Sequence, residues 1–217
     1  MSTKNPYSNQ TRLEEIFNSI THGTGVLLSI AGLVLLVTFA SMQGDAWKIV
    51  SFSIYGFSLI LLYMISTMYH LIRSNRLKKV FQILDHSSIY LLIAGTYTPL
   101  LLVGLKGTLG WTLFGIIWGL AVTGIILKFY FINRSELLTS VVYILMGWII
   151  IFALKPLIIS ISFSGFIWLL AGGISYTAGV LFFLWDSLQF QHPIWHLFVM
   201  GGSICHFFSI YYHVLPV

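Results

Sequence analysis

Apolar residues dominate this chain in long blocks, each cut off by a short polar link. A transmembrane helix needs about 20 apolar residues. Blocks of that size fall at about 20–42, 47–72, 82–104, 109–131, 137–158, 163–185 and 193–215. The pattern predicts an all-α, polytopic integral membrane protein with seven transmembrane helices, a single domain over residues 1–217. Residues 1–10 are polar and predict a mobile tail. Thr11 followed by Glu14 predicts a capping box, so the first helix starts near Arg12. Leu13, Ile16, Phe17 and Ile20 form one stripe of that helix, and Glu15, Asn18 and His22 another. Gly23, Gly25, Ser29 and Gly32 predict close helix contact. Pro99 and Pro156 fall near the ends of the third and fifth blocks, where a broken backbone bond is tolerated.

Composition sharpens the class. Of 217 residues, 58% are hydrophobic and 8% charged, against about 25% charged in a soluble domain. A soluble fold is excluded, and no separate soluble domain or cleavable signal peptide is expected. The one cysteine, Cys205, has no partner for a disulfide and reads as a small buried side chain. The basic excess serves topology, not nucleic acid. With the N-terminus inside, Lys4, Arg12, Arg73, Arg76, Lys78, Lys79, Lys128 and Arg134 are cytoplasmic, and Lys48, Lys106 and Lys155 are outside. Eight against three predicts a cytoplasmic N-terminus and an external C-terminus.

That topology gathers the polar residues on the inner side. Glu15, Asn18 and His22 enter the first span there, Ser66 and His70 close the second, and Asp85 opens the third. His192 and His196 open the seventh, with Pro193 suited to its first turn. Two histidines four apart share one helix face. Ionisable residues in spans are costly and mark function. Three neutral imidazoles, His70, His192 and His196, suit a catalytic zinc, which takes three protein ligands and a water. Zinc lowers the pKa of that water to about 7. Asp85 is then free to deprotonate the water or support a ligand, and Ser66 to polarise a carbonyl. Such a site suits hydrolysis of an amide or ester in a lipid headgroup region.

Plainer roles suit the remaining polar residues. His86, His206 and His213 read as interfacial, Asp186 as a water-facing span end, and Glu14 as a cap. Ser66, His70 and Asp85 could also form a nucleophile, base and orienter. A serine one turn before a histidine tends to bond its own backbone, however, and this scheme leaves His192 and His196 idle.

Glu15-x2-Asn18-x3-His22, Ser66-x3-His70, Asp85 with Ile89, and His192-x3-His196 together resemble the motifs of the progestin and adiponectin receptor family. From about residue 11 onward the chain looks like the bacterial hemolysin III branch. The resemblance implies seven helices, a zinc ion held by His70, His192 and His196, Asp85 near the metal through water, and Ser66 beside it. Glu15, Asn18 and His22 would support the ligands. The wider superfamily includes alkaline ceramidases, which implies amidase chemistry on lipids and a role in membrane lipid balance. It also implies a multi-pass protein of the bacterial inner membrane whose partners are membrane lipids. No protein hormone is indicated, and the oligomeric state is left open. Two alternatives stand beside the hydrolase: a pore-forming cytolysin, and a sensor of membrane state with a structural zinc.

Overall fold

A computed structural model describes residues 10–130 and 135–216. The tail predicted over 1–10, except Gln10, lies outside the described residues, as do Lys4 and Arg134 of the charge count. The described residues form helices and short links: α1 (Arg12–Met42), α2 (Ala46–Leu71), α3 (Asn75–Pro99), α4 (Gly107–Tyr130), α5 (Glu136–Gly147), α6 (Leu154–Phe183) and α7 (Gln191–His213). Six stretches are long and apolar enough to cross a membrane: Arg12–Met42, Ala46–Leu71, Asn75–Leu105, Gly107–Tyr130, Glu136–Phe183 and Gln191–His213.

The helix ends follow the local sequence. Thr11 caps α1 and closes the expected box: the Glu14 N–H donates to Thr11 Oγ1 at 3.3 Å, and the Thr11 N–H to Glu14 Oε2 at 2.7 Å. Asp45 caps α2 by accepting from the Trp47 and Lys48 N–H groups at 2.9 and 3.1 Å. After Pro99, which has no N–H to donate, α3 continues as a π-helical turn over Leu100–Leu105. The last helix starts at Gln191, two residues before the expected proline, and its cap is Phe190 in the left-handed region at φ 57°.

The stretch Glu136–Phe183 is the main departure from expectation. Its 48 residues are not one rod. A 3-10 segment, Trp148–Ala153, replaces the α-helix predicted there. Pro156 lies just beyond it, and a proline ring crowds the carbonyl four residues back. Ser162 then breaks α6 at φ 65°, ψ 164°. The chain doubles back here, because Trp148 Nε1 donates to Thr177 Oγ1 at 3.1 Å. On an unbroken helix those residues would stand about 43 Å apart.

Helices α1 and α2 pack as a hairpin, α3 lies against α2, and α7 packs on α6 and α1. One core cluster joins α1, α2, α3, α6 and α7 through residues such as Leu36, Phe52, Tyr55, Leu157 and Ile210. A second joins α3, α4 and α5 around Tyr97, Ile117 and Met146. The hairpin depends on Gly25, where an added Cβ would fall 2.5 Å from the Tyr63 ring. At one end of the bundle, Lys48 Nζ donates to Gln43 Oε1 at 2.6 Å and to the Leu215 carbonyl at 2.8 Å. The opposite end gathers the start of α1, the end of α2, and the starts of α3 and α7.

Candidate metal centre

The three histidines are delivered by helix ends, Asp85 by the body of a helix. His70 sits in the last turn of α2, Asp85 nearer the middle of α3, and His192 and His196 in the first two turns of α7. One ring nitrogen from each of His70, His192 and His196 lies within 4.8 Å of the others. The ring centroids stand 5.1 Å apart for His70 and His192, 5.2 Å for His70 and His196, and 4.7 Å for His192 and His196. Nε2 of all three is buried with no hydrogen-bond partner. Three buried imidazole nitrogens brought together with no hydrogen-bond partner are costly unless a cation takes them. This donor set fits a metal ion.

The start of α1 decides which nitrogens are free. The Glu15 carboxylate lies 2.6 Å from His70 Nδ1 through Oε2 and meets Lys78 Nζ through Oε1. A carboxylate only accepts, so Nδ1 carries the hydrogen and Nε2 keeps its lone pair. The Asn18 amide, itself bonded to Gln10 at 2.7 Å, lies 3.3 Å from the same Nδ1. Thr21 does the corresponding work for His196. Its one hydroxyl hydrogen goes to the Phe17 or Asn18 carbonyl, each 2.9 Å away. Its oxygen therefore accepts from His196 Nδ1–H at 3.2 Å, again freeing Nε2. His22 stacks on His196 with ring centroids 3.4 Å apart.

Asp85 is not one of the three clustered groups. Its carboxyl lines a cavity of about 700 Å³ whose wall also carries His22 and His192. Ser66 faces Asp85, but its hydroxyl has no hydrogen-bond partner. The backbone bond expected for Ser66 is therefore not made. A Ser66–His70–Asp85 triad is disfavoured as well, because Glu15, not Asp85, orients His70.

Residues 10–207 match the family described as haemolysin-III related. The chain belongs to that family. "Hemolysin-3" of Bacillus cereus is 54% identical over 203 residues, covering 94% of this chain and 93% of that protein. "Hemolysin-3 homolog" of Bacillus subtilis is 52% identical over 204 residues, covering 94% and 96%. The human "Monocyte to macrophage differentiation factor" is 30% identical over 210 residues, covering 93% and 84%. The motif resemblance to the hemolysin III branch is thereby borne out.

Sequence reading of this haemolysin-III-related chain missed several contributors. Glu14 is more than a cap: its Oε1 also accepts the Phe190 N–H at 3.0 Å, tying the start of α1 to the entry of α7. His206 is not interfacial, because it lines the cavity and its Nε2 meets the Leu169 carbonyl at 3.2 Å. His86 also lines the cavity, its carbonyl accepting from Tyr143. His213 contacts the hydroxyl of Ser162 at 3.1 Å. Asp186 is exposed, as expected, and stands at the cavity wall. Cys205 is only partly buried. Nothing in local spacing marks Thr21 or Glu14 for these tasks, since their partners come from α7, more than 170 residues away.

Proposed function

We propose that this chain is a zinc-dependent hydrolase of a lipid amide or ester, embedded in a bacterial plasma membrane and acting on membrane lipids. It crosses the membrane seven times, with the metal site and N-terminus on the cytoplasmic side and the C-terminus outside. The reversal at Ser162, which would let Glu136–Phe183 make two passes, supports that count. The observation that carries the catalytic reading is the convergence of three unpartnered imidazole nitrogens, one of them on His192, which with Asp85 lines a 700 Å³ cavity of largely apolar side chains.

His70, His192 and His196 would hold the ion, with Glu15 and Thr21 keeping two of the rings in the ligating tautomer. Zinc bound there supplies Lewis acidity, which brings a water near deprotonation at neutral pH. Asp85 accepts the proton as the water oxygen adds to the substrate carbonyl. Ser66 donates to the carbonyl oxygen as charge develops on it. The C–N or C–O bond then breaks, and the proton on Asp85 passes to the departing amine or alkoxide. The described residues offer three clustered ligands and no fourth. This favours an open catalytic site over a closed structural one, as a zinc-dependent sensor would have.

The test is turnover in nanodiscs on a panel of lipid amides and esters. Asp85→Asn is expected to keep its metal and lose at least a hundredfold in rate. A fully metallated wild type that cleaves no substrate on the panel overturns the reading. The name of the Bacillus cereus relative favours a second reading, direct lysis by pore formation. Conductance of pure protein in planar bilayers, unchanged by Asp85→Asn, would support the pore.

A further inference from the structure

The cavity does not end at the histidine cluster. The same wall that carries His192 and Asp85 also carries His206 and Tyr176. His206 lies ten residues beyond His196 on α7, about 15 Å along the helix. A polar side chain this far into a membrane span is costly and points to a task.

The hydrogen bonds at this end can be counted. The Leu169 carbonyl, 3.2 Å from His206 Nε2, only accepts, so Nε2 carries the ring hydrogen. Nδ1 is then a bare acceptor, and it has no partner. Nearby, Tyr63 donates to Ser203 Oγ at 2.8 Å, and the Tyr176 hydroxyl lies 2.7 Å from the same oxygen. These three hydroxyls share two contacts, so one hydrogen is left over; with Ser203 donating to the Tyr176 oxygen, it is the Tyr176 hydrogen that is left. The Tyr176 and His206 rings stand 5.4 Å apart. Glycines hold both in place: a Cβ at Gly172 would collide with the His206 ring, and one at Gly202 would lie 2.7 Å from Tyr176.

We infer that this end of the cavity is a second polar subsite, in which Tyr176 donates to and His206 accepts from a hydroxyl carried mid-chain on the bound lipid. One donor beside one acceptor is the complement of a hydroxyl group. The inference rests on the lipid-hydrolase reading, with the carboxyl end of the chain at the histidine cluster. A separation of about 15 Å corresponds to roughly a dozen carbon–carbon bonds of about 1.5 Å in a zigzag chain.

Oleate and ricinoleate differ by one such hydroxyl. Tritiated samples of each are titrated onto purified, metallated full-length protein in nanodiscs. Ricinoleate is expected to bind about tenfold tighter, the worth of one buried hydrogen bond. Tyr176→Phe and His206→Phe are expected to erase that preference while keeping oleate affinity. His206→Gln, which retains a donor for Leu169 and an acceptor for the ligand, is expected to keep part of it. Equal affinity for the two fatty acids in the wild type, as a trapped water in place of a lipid hydroxyl would give, overturns the subsite. So does a preference that survives both Phe variants. If oleate binds without discrimination, only the subsite falls; if neither fatty acid binds and no lipid on the panel is cleaved, the lipid-hydrolase reading falls with it.

Discussion

His22 lies face to face on His196, with ring centroids 3.4 Å apart and planes 12° from parallel. Two electron-rich rings do not favour this sandwich over an offset or edge-to-face contact. The arrangement is eased when Nε2 of His196 gives its lone pair to a cation and the ring becomes electron-poor. His22→Ala is therefore expected to lower metal affinity about tenfold, while His22→Phe, which keeps a flat ring, retains most of it. Competition against a chelator measures both. Equal affinity for wild type and His22→Ala would show that the stack is only packing.

Glu15 bridges His70 and the buried Lys78, whose ammonium also lies 4.7 Å from the centre of the Tyr69 ring. Glu15→Gln removes the charge that fixes the His70 tautomer and balances Lys78. Metal affinity is expected to fall 10- to 100-fold. The metal-free protein is expected to lose about 3 kcal/mol, because a buried cation loses its counter-charge. Adding Lys78→Met is expected to recover stability but not metal affinity. Thermal melting with and without added zinc separates the two effects.

Ser162 holds φ 65°, ψ 164°, a region populated almost solely by glycine. Ser162→Gly is expected to relieve about 2 kcal/mol of strain and to lose about 1 kcal/mol with the hydroxyl contacts to His213 and the Gly165 N–H. The net gain is a rise in melting temperature of about 2–4 °C. A fall would mean that the hydroxyl contacts outweigh the backbone strain.

Gly172 and Gly115 make a paired test of packing. A methyl group at Gly172 meets the His206 ring and the Gly202 carbonyl, whereas one at Gly115 meets nothing within 4 Å. Gly172→Ala is expected to destabilise by about 1–3 kcal/mol, and Gly115→Ala, inside α4 with open space around it, to leave the melting temperature unchanged or raise it slightly. Equal effects would contradict the close approach of α6 and α7 at this point.

Much of the centre was legible in the chain because its signals are local. Helical spacing placed His192 over His196, and Glu15, Asn18 and His22 on one face, while Thr11 and Glu14 announced the start of α1. The histidine convergence could be argued because charge bias put four segment ends on one side. What could not be read depends on contacts between distant helices. Thr21 became a partner of His196 only when α1 met α7. His206 looked like a bland span residue because its partner, the Leu169 carbonyl, is a backbone group with no sequence signature. Ser162 gave no warning either, since serine rarely adopts that conformation and the hydropathy of the stretch does not change there. Pro156 did mark a weak point, but the outcome, a 3-10 segment upstream, depended on how α5 packed against Tyr97, which bonds the Gly147 carbonyl at 2.7 Å.

Metal analysis of purified wild type and His196→Ala tests the central claim most directly, with the fold of each checked by helical circular dichroism. The wild type is expected to hold about one zinc per chain. His196→Ala, folded but missing one of three ligands, is expected to hold little. A folded His196→Ala protein with as much zinc as the wild type, or a wild type that takes up no metal after exposure to zinc, would contradict the assignment of these histidines.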